Sequence, residues 1–417
     1  MRLLLVENSK TVTSLILNEL AKFIDIEADW ADSKEKALAL IEKNGLENYS
    51  LAISCLNLSD APDGEVIAAI TEYQIPIIIF TAKFEDATRD ELIKMPGVVD
   101  YVVKESQAAL RYLCSMVHRL IANRKIKALV VDDSRAIRMH VCGLLRQYQF
   151  QVLEAEDGQE ALKVLENNRD VKLVVTDYNM PNMDGFELTK AIRETYEKEE
   201  LAIIGLSGVD VGSLSARFIK VGANDFITKP FLPEEFFCRV TQNMDLIEKT
   251  QALVDAATKD FLTGLYNRRF FFEKGEGKLN RARHEKKPCA LAMLDIDHFK
   301  SVNDTFGHDV GDEVLIVISN LLVEYARPDD LVARLGGEEF CILLSDITRP
   351  ELEVLFERMR EAIEDRHFDS LQDRKFVTSS FGVVIAGNED LDTLIKASDE
   401  LLYEAKQSGR NKVSFKD

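Results

Sequence analysis

The chain has 417 residues, with 52 Lys and Arg against 72 Asp and Glu, a formal net charge of −20. That acid excess repels nucleic acid and anionic membrane over most of the surface and excludes a general polyanion-binding role. At about 150 residues per domain the length predicts about three domains, and 46% hydrophobic with 30% charged residues excludes long disorder. No apolar run approaches the roughly 18 residues that span a bilayer, so no membrane insertion is expected. The opening Met1-Arg2-Leu3-Leu4-Leu5-Val6-Glu7 is too short for a signal peptide. Cys55, Cys114, Cys142, Cys238, Cys289 and Cys341 are scattered, without a C-x-x-C pair, and read as reduced thiols of a cytoplasmic protein.

The first 245 residues hold a repeat. Leu3-Leu4-Leu5-Val6-Glu7-Asn8-Ser9-Lys10 resembles Ala128-Leu129-Val130-Val131-Asp132-Asp133-Ser134-Arg135, and Val103-Lys104 matches Thr228-Lys229 at the same offset of about 125 residues. In the second copy, short apolar runs at 127–131, 151–155, 173–177, 202–206 and 225–227 alternate with amphipathic stretches. This predicts a doubly wound α/β domain with a five-stranded parallel sheet. Functional groups gather at the carboxyl ends of such strands, where Asp132, Asp133, Asp177, Ser207 and Lys229 fall. The acids suit one Mg²⁺, Asp177 suits a nucleophile toward phosphorus, and Lys229 and Ser207 suit partners of the transferred phosphoryl group.

With Asp177-Tyr178-Asn179-Met180-Pro181-Asn182-Met183-Asp184-Gly185 at its centre, the second copy resembles a response-regulator receiver domain of flavodoxin-like fold. The resemblance implies phosphorylation of Asp177 by a partner histidine kinase or phosphotransfer protein. It implies Mg²⁺ on Asp132, Asp133 and Asp177, with the Asn179 carbonyl as a further ligand, and switch positions at Ser207, Phe226 and Lys229. The first copy has Glu7-Asn8 for Asp132-Asp133 and Cys55 for Asp177, while Thr81 and Lys104 survive. A soft thiol is a poor substitute for a carboxylate, so residues 1–122 read as a degenerate receiver and 123–245 as the phosphoacceptor. A helical linker is predicted over 233–258. Its Phe237, Val240, Met244, Ile247, Gln251 and Val254 form an a/d seam that suits either a helix packing on its own domain or, as the favoured expectation, one that leaves the second domain and pairs with a partner chain.

Residues 259–417 repeat none of this. Helical stretches at 314–326, 351–365 and 391–407 mix with strands near 290–294, 340–344 and 378–385, an α+β pattern. Gly336-Gly337-Glu338-Glu339-Phe340 places two glycines where a nucleotide could approach the backbone. Asp295-Ile296-Asp297 ends a strand, and Asp295 with Glu338 could hold metal. Together with Asp260-Phe261-Leu262-Thr263-Gly264-Leu265-Tyr266-Asn267-Arg268-Arg269 and Ser408-Gly409-Arg410-Asn411, the segment resembles a GGDEF-type diguanylate cyclase of palm, ferredoxin-like fold.

That family condenses two GTP into cyclic di-GMP and two pyrophosphates. The resemblance implies Asp295, the Ile296 carbonyl and Glu338 as ligands of about two Mg²⁺ (or Mn²⁺) ions, and Glu339 as an acid that also helps deprotonate the 3′-hydroxyl. It implies Asn303 and Asp312 as guanine readers and Lys300, Lys406 and Arg410 as phosphate contacts, with Phe299, Gly336 and Gly337 lining the substrate. Arg327 and Asp330, with Arg358, match an inhibitory site for the product. One GTP per domain implies a homodimer. A non-catalytic effector of cyclic di-GMP and a docking scaffold remain as other readings.

Overall fold

The computed structural model describes residues 2–82, 91–208, 212–371 and 377–416. They fall into two units, Met1–Thr250 and Gln251–Asp417. In the first, the repeated apolar runs form two parallel five-stranded sheets. One contains β1 (Arg2–Val6), β2 (Glu27–Ala31), β3 (Tyr49–Ser54), β4 (Ile77–Thr81) and β5 (Val98–Val103), in the order β2-β1-β3-β4-β5. The other contains β6 (Lys127–Val131), β7 (Gln151–Ala155), β8 (Val171–Asp177), β9 (Ala202–Ser207) and β10 (Asp225–Thr228), with the same order read from the opposite edge, β10-β9-β8-β6-β7. Every residue of β3, β4 and β9 is buried, as expected of strands covered on both faces. Because all pairings are parallel, the carboxyl ends of each sheet share one edge.

The two sheets are not independent bodies. One apolar cluster takes Leu113, Val117 and Leu120 from helix Gln107–Asn123, Val141 and Leu145 from helix Arg135–Gln147, and Phe236, Val240, Met244 and Ile247 from helix Pro233–Thr258. The seam expected to meet a partner chain is therefore covered within the chain as far as Ile247, while Gln251 and Val254 beyond it are exposed. This corrects that expectation, and the reason is the neighbouring helix, which the seam's period does not disclose. Arg119, 5% exposed, donates to both carboxylate oxygens of Glu248 at 2.7 Å and also to Asp245. Each fully buried aliphatic side chain contributes about 1.5–3 kcal/mol. The apolar cluster therefore supplies the adhesion, and the arginine fork selects the register.

In the second unit a six-stranded sheet runs β11-β13-β14-β12-β15-β16. Its strands are β11 (Tyr266–Asn267), β12 (Cys289–Ile296), β13 (Leu331–Gly336), β14 (Glu339–Ser345), β15 (Ser379–Ile385) and β16 (Val413–Lys416). β12 is buried throughout and pairs antiparallel with both β14 and β15. Helices Phe299–Phe306, His308–Tyr325 and Arg349–Glu364 share an apolar cluster on one face, while Arg268–His284 and Leu391–Gln407 share another. This is the α+β architecture expected, with two helices, Arg268–His284 and Phe299–Phe306, added to those the periodicity marked.

Arg119→Ala leaves Asp245 and Glu248 without their cation and opens a gap beside a common core. Urea unfolding should show Met1–Thr250 destabilised by about 1–2 kcal/mol. A stability within a few tenths of wild type would remove the arginine from the interface account.

Candidate functional site

At the carboxyl edge of the second sheet the sequence-predicted residues converge. Asp132 follows β6, Asp177 ends β8, Ser207 ends β9, and Lys229 follows β10. Lys229 Nζ donates to Asp132 Oδ2 at 2.8 Å and to Asp177 Oδ1 at 2.7 Å. Backbone amides complete both carboxylates: Ser134 N donates to Asp132 Oδ1 at 2.9 Å and Asn179 N to Asp177 Oδ2 at 3.0 Å. Burial pulls the Lys229 ammonium down, but its two carboxylate partners outweigh that and hold it above its ordinary pKa. Burial lifts the Asp132 carboxyl, with Lys229 only partly offsetting it. Asp133 is exposed beside this cluster, Ser207 is buried, and Phe226 lies half-buried 5.8 Å from the Phe218 ring.

The first sheet repeats the arrangement with two acids removed, Asn8 standing for Asp133 and Cys55 for Asp177. Lys104 pairs with Glu7, which is 2% exposed, and Ser9 N donates to the other Glu7 oxygen at 3.0 Å. Cys55 stands at the acceptor's place with its Sγ 3.5 Å from the Asn57 carbonyl. Burial pushes its thiol up, and Glu7 adds to the effect. A neutral, buried thiol is neither a phosphoacceptor nor a ready nucleophile.

In the second unit Asp295 and Glu339 lie directly opposite each other on β12 and β14. The turn between β13 and β14 is Gly337-Glu338, and the Glu338 carbonyl accepts from Ile296 N at 3.4 Å. Gly336 and Gly337 have φ of 153° and 52°, and the space their Cβ atoms would fill is open. The hairpin tip can thus be approached closely from outside. Lys406 Nζ meets Asp295 Oδ1 at 2.8 Å. Burial lifts Asp295 to about 6; Lys406 opposes this, and Glu338 and Glu339 add to it.

Asn303 on helix Phe299–Phe306 reaches the next helix at Gly311, where a Cβ would fall 1.9 Å from its amide oxygen. Asp312 follows, exposed; Lys300 is exposed and Phe299 buried. Arg410 is exposed on the turn after helix Leu391–Gln407.

Among the described residues no three Asp, Glu, His or Cys side chains are drawn together as a metal cage. The donor sets still fit Mg²⁺, which keeps several waters and takes one or two protein carboxylates. Asp132 with Asp177, and Asp295 with Glu338, are hard-oxygen pairs; among the described residues Lys229 pairs with both acids of the first and Lys406 with Asp295 of the second.

Arg327, Asp330 and Arg358 line one cleft of about 420 Å³ together with Tyr325 and Glu351. Arg327 N donates to Asp330 Oδ2 at 2.8 Å, its guanidinium reaches the Asp346 carbonyl at 3.1 Å, and the Arg358 guanidinium lies 5.6 Å from the Tyr325 ring. Burial lifts the Asp330 carboxyl.

Three contributors escape sequence reasoning. Arg334 donates twice to the Gly337 carbonyl, at 2.9 and 2.8 Å, and to Asp260 Oδ1 at 3.0 Å, so it braces the hairpin against the 260–269 motif. Asp297 is 1% exposed and accepts from Thr378 Oγ1 at 2.8 Å, Ser380 Oγ at 2.7 Å and Asn411 N at 3.0 Å, an internal brace rather than a metal ligand. Asn411 is held by Glu364 and Arg360. The available signal was positional: Asp297 is two residues from Asp295, and Arg334 is two residues before the glycines.

The response-regulator receiver domain family matches residues 128–241, and the GGDEF diguanylate cyclase domain family matches residues 257–412. Response regulator PleD of Caulobacter vibrioides is 32% identical over 298 residues, covering 69% of this chain and 65% of PleD. The Probable diguanylate cyclase DgcT of Escherichia coli K12 is 42% identical over 165 residues, covering 39% of this chain and 36% of that protein. The chain thus spans less than two thirds of the length of these curated relatives. The crystal structure of a two-component system response regulator/GGDEF domain protein aligns with TM-score 0.55 at 40% identity, over 59% of this chain and 99% of its own.

The burial pattern predicts an order of thiol reactivity. Cys238 is exposed, whereas Cys55 is buried with a raised pKa. Maleimide labelling of the native chain, read by peptide mass spectrometry, should modify Cys238 first and Cys55 about tenfold or more slowly. Equal rates would show that burial does not protect the Cys55 thiol.

Proposed function

This chain belongs to the response regulators that carry a GGDEF domain, and on that premise we propose that it is a phosphorylation-controlled diguanylate cyclase. It would condense two GTP into cyclic di-GMP and two pyrophosphates and be inhibited by its product. The proposed division is a degenerate receiver over 1–122, a phosphoacceptor receiver over 123–245, a connecting helix over 233–258 and the cyclase over 259–417. The single observation that carries the reading is the open Gly336–Gly337 tip, which sets Glu339 opposite the buried Asp295.

In this reading Asn303 and Asp312 receive guanine. A carboxylate accepts from N1–H and the exocyclic amine, a pattern adenine does not offer. Lys300, Lys406 and Arg410 take the phosphates, and Phe299 supports the floor. Asp295, the Ile296 carbonyl and Glu338 would hold divalent metal, which when bound neutralises phosphate charge and acidifies an attacking hydroxyl. Glu339 accepts the 3′-hydroxyl proton as that oxygen attacks the α-phosphorus of a GTP held by a second copy, and pyrophosphate leaves. One chain contributes half of the reacting pair, so the rate follows the encounter of two cyclase domains in a homodimer.

Control starts at Asp177, which takes a phosphoryl group from a histidine kinase or phosphotransfer protein, with Mg²⁺ at Asp132, Asp133 and Asp177 and the Asn179 carbonyl. Lys229 then gains a phosphoryl partner, and Ser207 and Phe226 respond. Arg327, Asp330 and Arg358 bind product, the arginines as forks for guanine or phosphate and Asp330 at a guanine edge.

The full chain incubated with GTP and Mg²⁺ should form cyclic di-GMP, with Glu339→Ala slowing it at least about a hundredfold. No cyclic product from wild type would overturn the reading. An acyl-phosphate donor should raise the wild-type rate and shift the mass toward dimer. Asp177→Asn should ignore the donor; a rate gain surviving in that variant would move control elsewhere. Arg327→Ala should keep the initial rate and weaken product inhibition by about tenfold or more. An unchanged inhibition constant would remove the cleft from regulation.

A further inference from the structure

Gly409, Arg410 and Asn411 have successive φ values of 116°, 62° and 47°. Two of the three carry a Cβ, and such backbone persists only where the surroundings over-determine it. Three sets of bonds do so here. Arg410 N donates to the Ala405 carbonyl at 3.1 Å, which closes helix Leu391–Gln407. Asn411 N donates to Asp297 Oδ2 at 3.0 Å, and Asp297 is itself fixed by Thr378 and Ser380. The Asn411 amide donates to Glu364 Oε1 at 2.9 Å and accepts from Arg360 Nη1 at 2.9 Å.

The turn is therefore fastened on two sides. One is the end of β12, two residues beyond Asp295. The other is the last turn of helix Arg349–Glu364. Within this turn stands Arg410, and one helical turn before it Lys406 reaches Asp295. The Asn411 side-chain amide is held at both ends by helix Arg349–Glu364, through one N–H to Glu364 and one oxygen lone pair to Arg360. Asparagine suits the position for a further reason: its short polar side chain tolerates the left-handed region better than most.

We propose that Asn411, clamped between Asp297 and the Arg360–Glu364 pair, is a positioning residue that holds Arg410 and Lys406 at the phosphate-binding edge. The inference rests on the phosphate role given to those two cations above. It assigns to Asn411 a share in recognising the phosphate chain and none in recognising the base. Without the clamp, Arg410 and Lys406 keep their charge but lose their fixed geometry, and charge-assisted bonds depend on that geometry.

The test uses two probes that separate phosphate from base, tripolyphosphate and guanosine, each titrated calorimetrically into the full chain with Mg²⁺. Asn411→Gly removes the side-chain half of the clamp, to Glu364 and Arg360, while keeping the backbone bond to Asp297 and leaving the backbone conformation accessible. It should weaken tripolyphosphate about tenfold and leave guanosine within about twofold. Arg360→Leu loosens the same turn from the helix side and should give the same pattern, which covers a failure of the first variant to fold. Wild type that binds neither probe would overturn the phosphate and base assignments on which the inference stands. Wild type that binds both, with the variants weakening both probes equally or neither, would overturn the positioning role alone.

Discussion

Among the described residues, a buried carboxylate at or just past the carboxyl end of a strand, with one lysine paired to it, occurs in all three sheets, and the ratio of acids to lysine sets what each site can do. In the first sheet Glu7 faces Lys104, one acid to one cation. In the second, Asp132 and Asp177 share Lys229. In the third, Asp295 has Lys406 while Glu338 and Glu339 press on it electrostatically. Like charges about 4 Å apart cost about 4 kcal/mol at an effective dielectric of 20. Excess acid at close range needs a further cation, and a divalent ion would meet the need. The first sheet has no excess. With Asn8 and Cys55 in the places of Asp133 and Asp177, the Glu7–Lys104 pair leaves no excess charge, and the same fold stands without the electrostatic demand for metal.

Mechanical connections follow a similar economy of parts. The first sheet's domain does not merely precede the second. Its last helix, Gln107–Asn123, joins the core that receives Phe236, Val240, Met244 and Ile247, so it covers the opening half of helix Pro233–Thr258. At the other end of that helix, Asn267 donates to the Ala257 carbonyl at 2.9 Å and to the Lys259 carbonyl at 3.3 Å. Asp260 follows, bonded by Thr263 and by the Arg334 that also holds Gly337. Although burial opposes it, those bonds keep the Asp260 carboxyl below the usual range. A short relay of charged and amide groups thus connects the helix end to the hairpin within one unit.

Much of this was legible in the sequence where the physics is local or repeated. Continuous apolar strands and a 125-residue self-similarity disclosed two parallel sheets, and strand ends disclosed Asp132, Asp177 and Lys229. What stayed hidden depended on the third dimension. Asp295 and Asp297 are chemically identical and two residues apart at a strand end, yet one meets Lys406 and the other turns to Thr378 and Ser380. Only the partners supplied by β15 and the 408–411 turn distinguish them. Arg119 looked like any surface cation on a helix, because its burial is created by a helix more than a hundred residues later. The Phe237–Val254 seam has the right period for a partner helix, but period alone does not say whether that partner belongs to the same chain.

The charge of −20 sharpens the reading of the proposed reaction. Two copies must meet face to face, each bringing an anionic nucleotide, and their long-range fields oppose the encounter. At physiological salt the Debye length is about 8 Å, so the repulsion is strong only near contact. The groups at the meeting surface therefore matter more than the total. In the proposed reaction those groups would be the open glycine tip, which adds no charge, and Lys300, Lys406 and Arg410, the cations proposed to offset phosphate. A divalent ion held by Asp295 and Glu338 would remove the remaining local excess. An acidic protein can then handle anions in pairs because neutralisation is local, while the rest of its surface still turns polyanions away.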